Sequence, residues 1–167
     1  LSEYSSIHWG IPYGDYYYIY DTIAEELWIA GVPFMDSLSY VFLSYCSYSM
    51  AIFVLSPVIF VKADVFVIET HRVRRSWQCL VLGSCLFVFL DIIIDPVALQ
   101  GSRWFLGQIY GYQEEGIYFG VPVSNFMGWL AVGFVMIAIL QLLDRWSALE
   151  PKQATFFHSI PGIALLG

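Results

Sequence analysis

The sequence predicts an all-α fold, a polytopic transmembrane helix bundle, and three observations carry that prediction. First, 59% of the 167 residues are apolar and only 13% are charged, against roughly 45–50% and about 25% for soluble domains. Second, the mean hydropathy is +0.67, and it is concentrated in runs long enough to cross a bilayer. Third, aromatics make up 19% of the chain, with many Tyr and Trp, side chains that suit membrane–water interfaces and slender apolar ligands.

Taken in order, Leu1–Gly10 reads as the tail of an earlier helix. Trp9 to Asp21 is dense in Gly, Pro and Tyr and too polar to span, so an irregular stretch is expected, with Pro12 and Gly14 permitting a sharp turn. Non-helical backbone at membrane depth must pack on protein or line a cavity, so this aromatic stretch is expected to fold over the outer mouth of the bundle. Residues 37–61 carry no charge over 25 positions, about 37 Å of helix against ~30 Å of hydrocarbon. Residues 77–99 form a second span, interrupted only by Asp91 and Asp95, and residues 123–143 form a third, uncharged one. A further apolar run opens at Phe156. The chain starts at Leu1 without an initiator Met, so residues 1–167 are read as one membrane domain, an internal fragment of a longer protein.

Six of the seven basic residues lie in the connections 62–76 and 144–155, whereas the leading 1–36 segment has six carboxylates and no Lys or Arg. By the positive-inside rule the two basic loops face the cytoplasm, and residues 1–36 and 100–122 face away from it. The net charge of −7 leaves no basic stripe for phosphates, which excludes nucleic acid as a partner. Cys46, Cys79 and Cys85 fall inside apolar runs and read as small packing residues. Lys62 and Lys152 lie at span ends, where a retinal protein needs a mid-span Lys. The acidic clusters and basic residues that hold a diphosphate in a prenyltransferase are missing, and His8, His71 and His158 have no metal-ligand spacing.

Asp91 and Asp95 are spaced i, i+4, which places both on one helix face. Asp91 lies about 21 Å along the helix from Trp77, with Asp95 nearer the outer boundary. A carboxylate at that depth costs on the order of 2.5–3.5 kcal/mol, so it must face the bundle interior, find a partner or keep its proton. The pair is either a polar helix end, with Asp95 fixing the turn before Pro96, or a functional site. Glu3 is a third acidic candidate on the same side, since carboxyls in unlike environments divide acid and base roles. Asn125 and Trp129, again i, i+4, open the third span after Tyr118-Phe119-Gly120-Val121-Pro122. Asn125 is expected to point inward, either to a carboxylate or water or to a neighbouring helix.

Three blocks in order carry a family resemblance. They are Glu3 with Gly10-Ile11-Pro12-Tyr13-Gly14, Tyr16 and Tyr18; Asp91 and Asp95-Pro96-Val97-Ala98 with Gly101 and Trp104; and Tyr118-Phe119-Gly120-Val121-Pro122 with Asn125-Phe126 and Gly128-Trp129. Over roughly residues 3–130 the chain resembles the integral-membrane carotenoid biosynthesis family, which includes CruF-type carotenoid 1,2-hydratases and bisanhydrobacterioruberin hydratase. The resemblance implies addition of water across the terminal C1=C2 bond of an acyclic, psi-end carotenoid. A carboxylic acid protonates C2, positive charge develops at C1, and a second carboxylate orients and deprotonates the water. Asp91 is the implied acid and Asp95 or Glu3 the base, with the reverse assignment open. Tyr16, Tyr18, Trp104, Tyr118 and Trp129 would face the cation. No cofactor or metal is implied. The expected partners are the carotenoid, membrane lipid and other enzymes of the pathway, in a prokaryotic cell membrane.

Three other readings share parts of this pattern. A carotenoid end-group cyclase begins with the same protonation, and a proton-coupled carrier would use the Asp pair as a relay. A carotenoid-binding scaffold would use the aromatic residues without turnover.

Overall fold

The computed structural model describes residues 1–61, 64–101, 107–114, 116–146 and 154–155. The chain opens with α1 (Ser2–Trp9), which ends where Gly10 adopts a left-handed φ of 70° and its N–H donates to the Ser6 carbonyl. Strand β1 (Tyr16–Tyr18) follows, and then a hairpin of β2 (Trp28–Ile29) and β3 (Val32–Pro33). The hairpin turns at Ala30 and Gly31, both at positive φ, as a two-residue primed turn requires. The next elements are α2 (Phe34–Leu55), a hairpin of β4 (Val58–Val61) and β5 (Asp64–Val67), the single turn α3 (His71–Arg74), and α4 (Trp77–Ala98). Strand β6 (Tyr110–Tyr112), α5 (Val123–Trp146) and β7 (Ala154–Thr155) complete the described elements.

The predicted helical fold is the one observed. Helices α2, α4 and α5 hold 22, 22 and 24 residues and are each long and apolar enough to cross a membrane. They mark an integral membrane protein. Helix α4 lies centrally, packed against both α2 and α5. Close approach depends on small residues, as is usual between membrane helices. A Cβ on Gly133 of α5 would lie 2.7 Å from the Phe87 ring of α4, and one on Gly83 of α4 would lie 2.7 Å from Ile137 of α5. Phe42, Val54, Phe89, Ile93 and Leu142 point outward as exposed apolar side chains, which suits a lipid solvent.

Two boundaries differ from the sequence reading. The uncharged run 37–61 is not one helix: α2 ends at Leu55, Ser56 is extended, and residues 58–61 pair in β4. Pro57 supplies the reason, since it lacks an N–H and disfavours helical backbone in the residue before it. The leading segment is less irregular than expected, because α1 and β1 are regular and β1 pairs antiparallel with β6 across some ninety residues, Tyr16 opposite Tyr112 and Tyr18 opposite Tyr110. The apolar run from Phe156 lies outside the described residues.

Pairing of β1 with β6 brings the 1–36 and 100–122 segments to one end of the bundle, and pairing of β5 with β7 brings the two basic connections to the other. At this second end Asp144 of α5 accepts from Arg75 Nε at 2.7 Å, pairs with Arg74 Nε at 3.0 Å and faces His71 at 3.5 Å. Arg74 also pairs with Glu69 at 3.0 Å. Among the described cysteines Cys79 is buried, Cys46 half-buried and Cys85 exposed, all with free thiols.

Candidate active site

The acid pair of α4 is buried, Asp91 at 1% exposure and Asp95 at 5%. Four residues are about one helical turn, so both carboxyls lie on one face of α4, one turn apart. Asn125, in the first turn of α5, meets them there: its Nδ2 donates to Asp91 Oδ2 and to Asp95 Oδ2, each at 2.9 Å. The two carboxyls also lie within hydrogen-bonding reach of each other. Asp95 receives two further donors from β6, Tyr110 Oη to Oδ1 at 2.6 Å and Tyr112 Oη to Oδ2 at 2.7 Å. Asp91 Oδ1, by contrast, is buried with no hydrogen-bond donor. Side chains alternate along a strand, so Tyr110 and Tyr112 share one face of β6. Burial pushes both phenols upward, with the Asp95 charge next in effect, which keeps them as O–H donors.

A second acidic group stands on the elements facing this pair. Asp36, in the first turn of α2, accepts from Tyr18 Oη at 2.5 Å, and Tyr18 also lies 3.3 Å from Glu3 Oε1. With the single Tyr18 proton directed at Asp36, the 3.3 Å contact between Tyr16 and Tyr18 is one in which Tyr16 donates. Ser37 Oγ donates to Glu3 Oε2 at 2.5 Å, and the Glu3 and Asp36 carboxyls are hydrogen-bonded neighbours. Burial first, and the negative charge of Asp36 second, push the Glu3 carboxyl up from 4.5 to about 8. At neutral pH Glu3 is therefore the protonated member and donates to Asp36.

Both groups border a cavity of about 710 Å³, within the range of pockets that hold small molecules. Glu26, Asp36, Ser39, Asp91, Asp95 and Asn125 supply its polar lining, and Tyr13, Tyr16, Tyr18, Tyr40, Tyr110, Tyr112 and Trp129 its aromatic wall. Trp129 stacks on Tyr40 with centroids 4.7 Å apart, and Phe87 braces it from behind at the same distance. The loop before β1 closes over this wall because Gly128 of α5 lets the Pro12 carbonyl and the Tyr13 ring sit against the helix; a Cβ there would lie 2.5 Å from Pro12 O. Met35 and Phe42 line the same cavity while 57% and 70% exposed on the surface of α2. The cavity thus connects buried carboxyls to the lipid-facing side of the bundle.

Of the residues singled out from sequence, Asp91, Asp95, Asn125, Tyr16, Tyr18 and Trp129 gather at this cavity. Glu3 stands behind it, joined through Tyr18 and Asp36. Tyr118 does not join: it packs on Phe119 and Phe126 beside an isolated bridge to Val121, on the rim outside the cavity. Trp104 lies outside the described residues. Asp36, Tyr40, Tyr110 and Tyr112 are at the cavity and were not singled out. The signals for them were slight: Asp36 is the last carboxylate before the first apolar run, four residues ahead of Tyr40, and Tyr110-Gly111-Tyr112 repeats the alternation of Tyr16-Tyr17-Tyr18.

Neither curated proteins nor solved structures give a match to this chain. A family model described as carotenoid biosynthesis protein matches residues 1–165, nearly the whole chain. With buried carboxyls set in an aromatic cavity that opens toward lipid, and with that match along its length, the chain belongs to the carotenoid biosynthesis protein family.

Proposed function

We propose that the protein is a carotenoid hydratase that adds water to the terminal C1=C2 bond of an acyclic carotenoid. The observation that carries this reading is the buried Asp91–Asp95 pair, clamped by Asn125 at the wall of an aromatic cavity. Two like charges so close are not both ionised without a compensating cation, and among the described residues the cavity lining contains no Lys or Arg. One proton held between the two carboxyls satisfies the geometry, with Asp95, which receives more donors, the acceptor and Asp91 the donor.

The end group of the polyene enters past Met35 and Phe42 and the remainder of the chain stays along the lipid-facing surface of α2. Asp91 transfers its proton to C2, and the π electrons of the alkene form the new C–H bond. The tertiary cation at C1 faces Tyr16, Tyr18 and Trp129, and each ring contributes about 0.5–2 kcal/mol by cation–π attraction. Water adds to C1 and loses a proton, giving the tertiary alcohol. The basic connections 62–76 and 144–155 face the cytoplasm, so the cavity lies in the outer half of the membrane.

The test is expression of the intact protein in a host that accumulates lycopene, with products weighed by mass spectrometry. Wild-type protein gives product heavier by one water, and Asp91→Asn abolishes it while accumulating normally in membranes. Hydration retained by Asp91→Asn removes Asp91 from the reaction. A converted product of unchanged mass identifies a cyclase, which shares the protonation and the aromatic wall but closes a ring in place of water capture.

A further inference from the structure

Asp36 is better placed than Asp95 to capture the water, and the surroundings of the two carboxylates distinguish them. A carboxylate offers about four acceptor positions. Those of Asp95 are taken by Tyr110, Tyr112, Asn125 and the neighbouring Asp91 carboxyl. Asp36 accepts from Tyr18 and from the Glu3 carboxyl, which leaves acceptor positions open on a residue that lines the cavity. Its place in the first turn of the 22-residue α2 puts it at the positive end of the helix dipole, which favours the anion.

We infer that Asp36 is a catalytic residue, the general base that orients the incoming water and takes its proton, acting across the cavity from the acid pair on α4. Glu3 is then a positioning residue, whose carboxyl O–H and Ser37 contact hold Asp36 in place. This inference rests on the hydratase reading. Asp91 gives a proton to C2; the water oxygen forms its bond to C1 as one water O–H bond breaks toward Asp36. The product is the neutral alcohol, Asp91 is left ionised and Asp36 protonated, and one proton returns from Asp36 to Asp91 through solvent to close the cycle.

Protonation and water capture are separable in D2O. If the cation forms but no base delivers water, it decays by returning a proton from C2 to the Asp91 carboxylate, so recovered substrate acquires deuterium without gaining mass as water. Intact protein in membranes, supplied with lycopene in D2O, is the assay. Asp36→Asn is expected to lower hydration about 100-fold, the usual contribution of a general base, with KM within about threefold and deuterium still entering the recovered lycopene. Asp36→Glu, which keeps a carboxyl, recovers part of the hydration. The inference is overturned if Asp36→Asn hydrates at the wild-type rate. It is equally overturned if this variant, present in membranes at normal level, loses exchange along with hydration, since Asp36 then serves protonation or site structure. Failure of the underlying reading looks different: the wild-type protein itself then gives no product heavier by one water.

Discussion

At the scale of single residues, Glu3 offers the cleanest measurement of how far the site departs from water. It is 2% exposed, and burial with the Asp36 charge moves its carboxyl from 4.5 to about 8. Below pH 4.5 the folded and unfolded forms both hold the proton; between pH 4.5 and about 8 only the folded form does, so stability falls as pH rises and levels off above that window. Replacing Glu3 by Gln removes this slope while keeping a donor toward Asp36. The thermal midpoint of Glu3→Gln in detergent, relative to wild type, is expected to rise steadily between pH 4.5 and 8, and a difference independent of pH refutes a proton held on Glu3. Asp36, Tyr18, Ser37 and Tyr13 face this carboxyl and remain unchanged in the comparison. Residues of this kind divide by how far apart in sequence their partners lie. Asp91 and Asp95 were legible because one helix sets their spacing, and Asn125 because an amide entering a span needs a partner. Asp36 was hidden because its partners, Glu3 and Tyr18, come from segments 33 and 18 residues earlier.

Among the elements, the loop over the cavity sits in close contact with α5. Pro12 and Tyr13 rest on the bare backbone of Gly128, and Tyr13 is only 1% exposed. A larger residue at 128 must push the Pro12 carbonyl away or shift α5. Gly128→Val is therefore expected to lower stability by about 1–3 kcal/mol and to reduce turnover by displacing Tyr13 and Tyr16 from the cavity wall. Thermal unfolding together with the mass assay checks both; unchanged turnover would separate the loop from the reaction. The three long helices were legible because hydropathy over twenty residues is a local sum. The end of α2 was misread because absence of charge was taken as helix, although Ser56-Pro57 carried the stop. Pairing of β1 with β6 could not be read locally: two three-residue strands in separate segments meet only once the bundle places their ends together.

For the whole molecule, the two ends of the bundle differ in chemistry, and the difference predicts which side of the membrane the cavity faces. One end holds the cavity, β1, β6 and most of the carboxylates; the other holds α3, the β4–β5 hairpin and the Arg74, Arg75 and Asp144 cluster. By the positive-inside rule a chain with this asymmetry is expected to insert with its basic connections in the cytoplasm. Arg72 and Glu114 are exposed residues at opposite ends. In a protein with Cys46, Cys79 and Cys85 changed to Ala, Glu114→Cys is expected to react with a membrane-impermeant maleimide in intact cells, and Arg72→Cys only in inverted vesicles. The reverse pattern would leave the fold untouched but place the cavity toward the cytoplasm. The lateral opening at Met35 and Phe42 makes either orientation workable for a lipid-dissolved polyene, because the substrate arrives along the membrane plane. On the proposed hydratase reading, water and protons come from the end that β1 and β6 cover. On the same proposed reading, the orientation therefore decides which aqueous compartment supplies the added water and resets the proton on Asp91.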